Sequence, residues 1–291
     1  MISIVLPAYN EAKVIGSVIN DISRVMNDYG QDYDITVVDD GSQDNTGDIA
    51  GKAGATVHRH PYNIGNGAAV KTGLRSVKGD IIVLLDSDGQ HDPKLIPTLL
   101  ENIPKYDMAI GARIKNKSGA FHRNIANNIF NWFSSYLTNF KILDLTSGFR
   151  VIKRSVILKY IYLLPNTFSY PTTSTMALIR GGHSVTYVPI EVHKRVGKSK
   201  IKIFKDGTRF LLIMLKIATF FSPFRVFFPI SIISVLLGFI HGIYKILILD
   251  QRYTYLTVFL ISTGVLVFLM GLISEQIAQL RFDRSENTEV S

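Results

Sequence analysis

The chain of 291 residues has no cysteine. Disulfides, thiolate metal sites and cysteine nucleophiles are therefore excluded, and a reducing compartment suits the composition. It has no internal repeat, and no glycine cluster with the spacing of a Rossmann fingerprint or a P-loop. The opening Met1-Ile2-Ser3-Ile4-Val5-Leu6-Pro7 lacks a basic n-region and is too short an apolar run for a signal peptide, so it reads as a first strand. Charge is missing from two stretches, residues 226–244 and 255–273, the first broken only by Pro229, two glycines, two serines and His241.

Those two uncharged stretches carry the excess in a 47% hydrophobic composition with mean hydropathy +0.20. Each is close to the ~20 residues that cross ~30 Å of hydrocarbon, and each is apolar all round, so they read as two transmembrane helices. Only a short connector around Asp250-Gln251-Arg252 separates them, which makes a hairpin. Lys194, Arg195, Lys198, Lys200, Lys202, Lys205, Arg209, Lys216 and Arg225 precede the hairpin, and Arg281 and Arg284 follow it. By the positive-inside rule, both termini and the large N-terminal region face the cytoplasm. The same clustering assigns the net charge of +9 to anionic lipid and not to nucleic acid. Over residues 202–221 the basic positions 202, 205, 209 and 216 fall near one stripe, as in a helix lying in the headgroup layer.

The first part of the chain, to about residue 112, alternates short β runs with helical patterns. Strands are expected over 2–6, 35–38, 56–58, 81–85 and 108–110, and helices near 13–27, 45–53, 67–76 and 93–103. That order implies an α/β fold, a Rossmann-like and mostly parallel sheet with helices on both faces. Beyond it, residues 121–139 read as a helix, and 148–153 and 184–190 as further strands.

Asp86-Ser87-Asp88 follows the apolar run Ile81-Ile82-Val83-Leu84-Leu85. The two carboxylates therefore emerge at the carboxyl edge of a buried strand, where open α/β sheets place their ligands. Two hard oxygen ligands one residue apart, with the Gln90 amide close by, suit Mg²⁺ or Mn²⁺ carrying a diphosphate. Taken alone, the triplet reads equally well as a solvated turn before Asp92-Pro93, an N-cap and a first-turn proline. Pro7-Ala8-Tyr9-Asn10-Glu11 and Val37-Val38-Asp39-Asp40-Gly41-Ser42 close the first two strands on the same edge. A carboxylate there can accept the N–H of uracil or guanine, though Asp-Gly-Ser is also a common turn. Glycines 65 and 67 open a helix where backbone N–H groups can approach a diphosphate.

Together these segments resemble the family 2 glycosyltransferases with a GT-A fold, within them the dolichyl-phosphate mannose synthase and polyprenyl-phosphate glycosyltransferase group. The matching stretches are PAYNE (7–11), VVDDGSQDNT (37–46), NIGNGAAVKTG (63–73), GDIIVLLDSDGQHDP (79–93), GAR (111–113), DLTSGFR (144–150) and RVGKSK (195–200). The resemblance implies that Pro7, Tyr9, Glu11, Asp39 and Asp40, with Asp86 and Asp88, hold the nucleotide-sugar, and that Asp86, Asp88 and Gln90 hold the divalent metal. It implies that Arg113, Arg123, Asn127, Arg195 and Lys198 meet an acceptor phosphate, and that Asp88, Arg113 and Asp144 form the catalytic group. Asp144 reads as shaping the acceptor site or as capping the turn before Gly148.

Three departures from the family pattern bear on function. The stretch Tyr170-Pro171-Thr172-Thr173-Ser174-Thr175 has no carboxylate where many relatives carry a catalytic base ahead of a helix. The Gln-x-x-Arg-Trp signature of processive synthases is absent, the only tryptophan being Trp132, and some relatives carry Ser at the position of Asn127. A phosphate monoester is mostly ionised at neutral pH, with a second pKa of about 6, so it needs no base. The expected protein is a membrane-bound inverting transferase that moves a sugar from UDP-hexose or GDP-mannose to a polyprenyl phosphate. Its expected organisation is a GT-A domain (1–200), an interfacial helix (201–222), a membrane hairpin (223–276) and a cytoplasmic tail (277–291), with homo-oligomerisation left open. A transferase acting on a hydroxyl of a growing glycan, and a non-catalytic nucleotide-sugar-binding membrane protein, are the alternatives.

Overall fold

The structure, a computed structural model, describes residues 1–113, 121–166, 170–191, 215–249 and 254–286; within 121–127 and 281–286 it describes the helix but not the side chains. The chain divides into two units, Met1–Ile203 and Phe204–Ser291. In the first, a seven-stranded sheet runs β3-β2-β1-β4-β6-β5-β7. Its strands are β1 (Ile2–Ala8), β2 (Tyr33–Asp39), β3 (Thr56–Arg59), β4 (Ile81–Leu84), β5 (Met108–Arg113), β6 (Arg150–Lys153) and β7 (Val185–Ile190). The helices between them are α1 (Ile15–Tyr29), α2 (Thr46–Lys52), α3 (Asn66–Ser76), α4 (Ile96–Leu100), α5 (Phe121–Thr138), α6 (Arg154–Lys159) and α7 (Tyr170–Arg180).

Burial explains why these runs become strands. Every residue of β1 is buried, as a central parallel strand covered on both faces requires. Helix α1 turns one stripe inward, Ile15, Val18, Ile19, Ile22 and Met26, onto a core shared with Ile4, Leu6, Val37 and Val83. Each such side chain contributes about 1.5–3 kcal/mol when fully buried, against the entropy of ordering it. The parallel order reverses direction at β1, which pairs with β2 on one side and β4 on the other. That reversal opens a crevice at the carboxyl edge between β1 and β4.

The departures from the sequence reading lie mainly beyond β4. The helix expected near 93–103 is split into a 3₁₀ turn, Pro93–Leu95, and the short α4. The expected caps at Asp92 and Pro93 are present, with Asp92 Oδ1 accepting from the Lys94 N–H at 3.0 Å. Strand β6 is antiparallel to both β4 and β5. Helix α6 was not expected, and residues 170–175, expected ahead of a helix, form the first turns of α7.

In the second unit, two apolar helices, Phe224–Leu247 and Tyr255–Glu286, have stretches long enough to span a membrane, with mean hydropathies of 2.2 and 2.5. Only 17% of each apolar window is buried, so neither is the core helix of a soluble protein. They pack directly on each other: a Cβ on Gly238 would lie 2.7 Å from Ile261 Cγ1, and one on Gly264 2.9 Å from the Ser231 carbonyl oxygen. Ser234 Oγ donates to the Leu260 carbonyl at 2.8 Å, and His241 Nδ1 lies 2.8 Å from Thr257 Oγ1. The second helix continues to Glu286, so the segment expected as a tail begins helical. Of the expected interfacial helix, residues 215–221 are helical and 201–214 lie outside the described residues.

Candidate active site

The triplet after β4 is stitched to β1. Ser87, buried, donates from Oγ to the Pro7 carbonyl oxygen at 2.8 Å, which leaves Asp86 and Asp88 half-buried on either side. Asp88 Oδ1 accepts from the Gln90 backbone N–H at 3.1 Å across Gly89, whose φ of 72° favours a residue without a Cβ. Asp86 faces two groups. A Cβ on Gly148 would lie 2.7 Å from its Cγ and Oδ1, so any larger residue there would push the Asp86 carboxylate aside. His91 Nε2 lies 3.7 Å from Asp86 Oδ2, its ring rests against Phe149 at 5.4 Å, and its buried Nδ1 has no hydrogen-bond partner. The sequence reading gave His91 no role, although it directly follows Gln90.

The donor set fits a hard divalent cation in one particular way. Among the described residues no cluster of three or more His, Asp or Glu could hold a metal. Asp86 and Asp88 therefore suit a cation that takes its remaining ligands from water and a diphosphate, as Mg²⁺ and Mn²⁺ sites on one or two carboxylates do.

At the ends of β1 and β2, Ala8, Asp39 and Arg59 stand abreast in the sheet register. The two neighbouring aspartates differ. Asp39 Oδ1 accepts from the Ser42 N–H at 2.9 Å, and its Oδ2 lies 3.7 Å from Arg59 Nε, whose Nη2 pairs with Asp48. Asp40 is spent on the glycine loop: its carboxylate accepts from the Ile64 and Gly65 N–H groups at 3.0 and 2.9 Å and meets His60 Nδ1 at 2.7 Å. His60 Nε2 is in turn 2.9 Å from Thr72 Oγ1. Tyr9 and Glu11, both half-buried, lie in the loop after β1. That loop is zipped to the one after β2 by Asn10 N–H to Ser42 Oγ (2.9 Å), Gln43 N–H to Asn10 Oδ1 (2.8 Å) and Glu11 N–H to Thr46 Oγ1 (2.9 Å). A hollow of about 550 Å³ between α2 and β3 is lined by Gly47, Asp48, Gly51, Lys52, Val57 and Arg59, none of them an expected site residue.

On the other side of β4, Arg113 ends β5 and is held by Asp144. Nε and Nη2 donate to the two carboxylate oxygens at 2.7 and 2.8 Å, the Arg113 N–H reaches Oδ2 at 3.2 Å, and Nη2 also meets Thr146 Oγ1 at 2.5 Å. Burial pushes the Asp144 carboxyl up, but the hydrogen bonds and charge of Arg113 and the Thr146 N–H outweigh it, so the group ends below the usual carboxylate range. The hydrogen bond to Asp144 holds the half-exposed Arg113 guanidinium more firmly protonated, against burial and with help from Asp144 and Asp86 as charges. Asp144 thus both caps its own turn, accepting from the Thr146 N–H at 3.1 Å, and aims Arg113. Arg123 and Asn127 lie on α5, one turn apart, with side chains outside the described ones; Arg195 and Lys198 fall outside the described residues.

Two hydroxyls of the stretch without a carboxylate are engaged by Arg150, to which the sequence assigns no role. Arg150 is fully buried at the start of β6 and donates from Nη1 to Ser174 Oγ at 2.9 Å and to Thr175 Oγ1 at 2.8 Å. Those hydroxyls in turn donate to the Tyr170 and Pro171 carbonyls at 2.9 Å each. Neither is free to serve an acceptor.

Residues 3–161 match the pattern described as glycosyl transferase family 2, and residues 222–280 match one described as the GtrB C-terminal hairpin. A dolichyl-phosphate hexose transferase of Haloferax volcanii is 32% identical over 213 residues, covering 71% of this chain and 89% of its own. An undecaprenyl-phosphate 4-deoxy-4-formamido-L-arabinose transferase of Aeromonas hydrophila is 23% identical, covering 97% of this chain and 90% of its own. A dodecaprenyl-phosphate galacturonate synthase of Rhizobium johnstonii is 28% identical, covering 54% and 48%. Among solved structures, glucosyl-3-phosphoglycerate synthase from Mycobacterium tuberculosis, in complex with Mn²⁺, uridine diphosphate and phosphoglyceric acid, shares the fold with a TM-score of 0.60 at 22% identity, covering 74% of this chain and 78% of that one.

Proposed function

The chain belongs to glycosyl transferase family 2, and on that premise we propose that it transfers a sugar from a nucleotide-sugar to a polyprenyl phosphate in a membrane. One observation carries the choice of acceptor: the acceptor side presents an arginine, and among the described residues there no carboxylate is fit to be a base. Asp144 is bound at both oxygens by Arg113 and sits below the usual carboxylate range, so it is a poor proton acceptor. Ser174 and Thr175 are committed to Arg150. A sugar hydroxyl must lose a proton as it attacks, whereas a lipid phosphate arrives ionised, its second pKa being about 6.

The reaction is a single displacement with inversion. A phosphate oxygen attacks the anomeric carbon, the bond from that carbon to the diphosphate breaks, and nucleoside diphosphate leaves. Asp86 and Asp88, with Gln90, would hold a divalent cation, which when bound would supply Lewis-acid neutralisation of the departing diphosphate. Asp39 accepts an N–H of the base, while Tyr9 and Glu11 border it, and Asp40 keeps the glycine loop beneath the donor. Arg113, aimed by Asp144, orients the acceptor phosphate through charge-assisted hydrogen bonds, and Arg123, Asn127, Arg195 and Lys198 complete the acceptor side. UDP-hexose is the first donor to test and GDP-mannose the next.

The three sequence relatives above carry dolichyl, undecaprenyl or dodecaprenyl phosphate in their names, and two further features support a lipid acceptor. On α5, Ile129, Trp132 and Tyr136 form one exposed stripe, Trp132 being 68% exposed with its ring stacked 6.4 Å from that of Tyr136. Such rings suit the headgroup level of a bilayer. The two apolar helices anchor the chain, and the basic residues flanking them set the catalytic domain and both termini in the cytoplasm. The proposed division is a GT-A domain over 1–200, an interfacial helix over 201–222, a hairpin over 223–276 and a tail over 277–291.

The test is a panel of nucleotide-sugars given to the purified protein with undecaprenyl phosphate or, in parallel, undecaprenol. Sugar entering the phosphate lipid with metal-dependent release of nucleoside diphosphate is the expected result. Faster glycosylation of undecaprenol or of a glycan hydroxyl would overturn it.

A further inference from the structure

We propose that Arg150 is a positioning residue that holds the donor carboxylate Asp86 and the acceptor arginine Arg113 in fixed relation. The inference rests on the function proposed above and adds a residue that acts through others. Its backbone is where the two sides of the site meet. Arg150 stands opposite Leu84 of β4 and Ile110 of β5 in the sheet register, so the antiparallel β6 feeds the segment 144–149 in between the ends of those two strands. At one end of that segment Asp144 grips Arg113, and near the other Gly148 lies against the Asp86 carboxylate.

The guanidinium locks this segment from below. Nε donates to the Ser147 carbonyl oxygen at 2.8 Å and Nη2 to that of Leu145 at 3.5 Å, while Nη1 reaches across to Ser174 and Thr175 on α7. Arg150 forms no ion pair among the described residues, although Asp144 and Asp86 are near enough to favour its charge against burial. Burying a charge without a direct counter-ion costs several kcal/mol, and an apolar side chain of similar volume fills such a space at less expense. Packing alone therefore does not account for an arginine here. A planar fork that bonds a loop's carbonyls on one side and a helix's hydroxyls on the other does.

The test uses the full chain carrying Arg150→Lys, which keeps the charge but lacks the fork that spans loop and α7 together. Amide hydrogen exchange over residues 143–149 is expected to speed up by about tenfold or more while exchange in β1 and β2 stays as in the wild type. With undecaprenyl phosphate and UDP-glucose or GDP-mannose, whichever the wild type uses, kcat is expected to fall on the order of a hundredfold, as displacement of catalytic groups by about 1 Å can do. The donor KM should move by less than about threefold, because the nucleoside is held at the ends of β1 and β2 and Asp86 keeps its place after β4, so what changes is its alignment with Arg113. Wild-type exchange over 143–149, or unchanged kcat in a merely less stable protein, would overturn the proposal. If Arg150→Lys fails to fold, Thr175→Val carries the same test, with kcat expected to fall about tenfold and an unchanged kcat counting against it. A wild type that glycosylates no lipid phosphate defeats the proposed function instead, and the exchange measurement still decides the role of Arg150.

Discussion

The two sides of β4 are held by different chemistry. Toward β1, β2 and β3 all strands are parallel, and the loops at their carboxyl edge are joined mainly by backbone N–H groups donating to short polar side chains, as with Asn10, Ser42 and Thr46. Toward β6 and β5 the order includes an antiparallel strand, and the loops are held by guanidinium groups, Arg113 on Asp144 and Arg150 on Leu145, Ser147, Ser174 and Thr175. In the proposed function the first arrangement presents carboxylates to a nucleotide and a cation, and the second presents positive charge to a second phosphate. Both sides bridge segments far apart in sequence, and the difference lies in the groups that do it: neutral side chains accepting backbone N–H groups on the first, charged guanidinium forks on the second.

Mutations should separate the two sides. The largest effect is expected for Asp88→Asn, which removes a proposed charged ligand from a half-buried turn while keeping the side chain's size. Turnover should fall by about three orders of magnitude with the fold intact, and Asp86→Asn should behave alike; near-normal turnover in steady-state assays would sink the cation assignment. Next comes Asp144→Asn. It leaves Arg113 without a charged anchor, so kcat should fall about a hundredfold while calorimetric affinity for nucleoside diphosphate stays within about twofold.

Asp40→Asn should break the donor side in stability more than in chemistry. The buried carboxylate accepts two backbone N–H groups and meets His60, and losing that set should cost about 1–3 kcal/mol in denaturant titrations. A smaller effect is expected at the opposite edge of the sheet. Burial raises the Asp107 carboxyl, but Lys153 and Ser184 outweigh it and hold it down to about 2. Because that folded value lies below the ordinary ~3.9, the stabilisation is fully present above about pH 4 and is lost as pH falls toward 2. Lys153→Met should therefore reduce stability at neutral pH and flatten the acid-unfolding curve over that window, with no change in kcat. The smallest effect is expected for Thr173→Ala, within about twofold in kcat, since no proton has to be removed there.

The donor side was legible in the sequence because its signals are local. Buried parallel strands read as apolar runs, and Pro7, Asp39 and Asp86 follow them directly. The acceptor side was less so. A four-residue buried strand reads the same in either direction, so the antiparallel placement of β6 left no trace. Asp144 and Arg113 are 31 residues apart, and nothing in either motif pairs them. Arg150 stood in the sequence only as the end of DLTSGFR, and Ser174 and Thr175 only as part of a stretch without a carboxylate; the fold places all three in one buried contact. Hence Ser174→Ala, unlike Thr173→Ala, should destabilise the protein by unpairing a buried donor.

The central claim is that nucleotide and lipid phosphate are handled on opposite sides of β4. Arg113→Ala tests it most directly when nucleoside diphosphate binding with Mn²⁺ and transfer of labelled sugar to undecaprenyl phosphate are measured on the same preparation. The account predicts wild-type nucleotide affinity and transfer reduced on the order of a hundredfold. Lost nucleotide binding, or undiminished transfer, would contradict it.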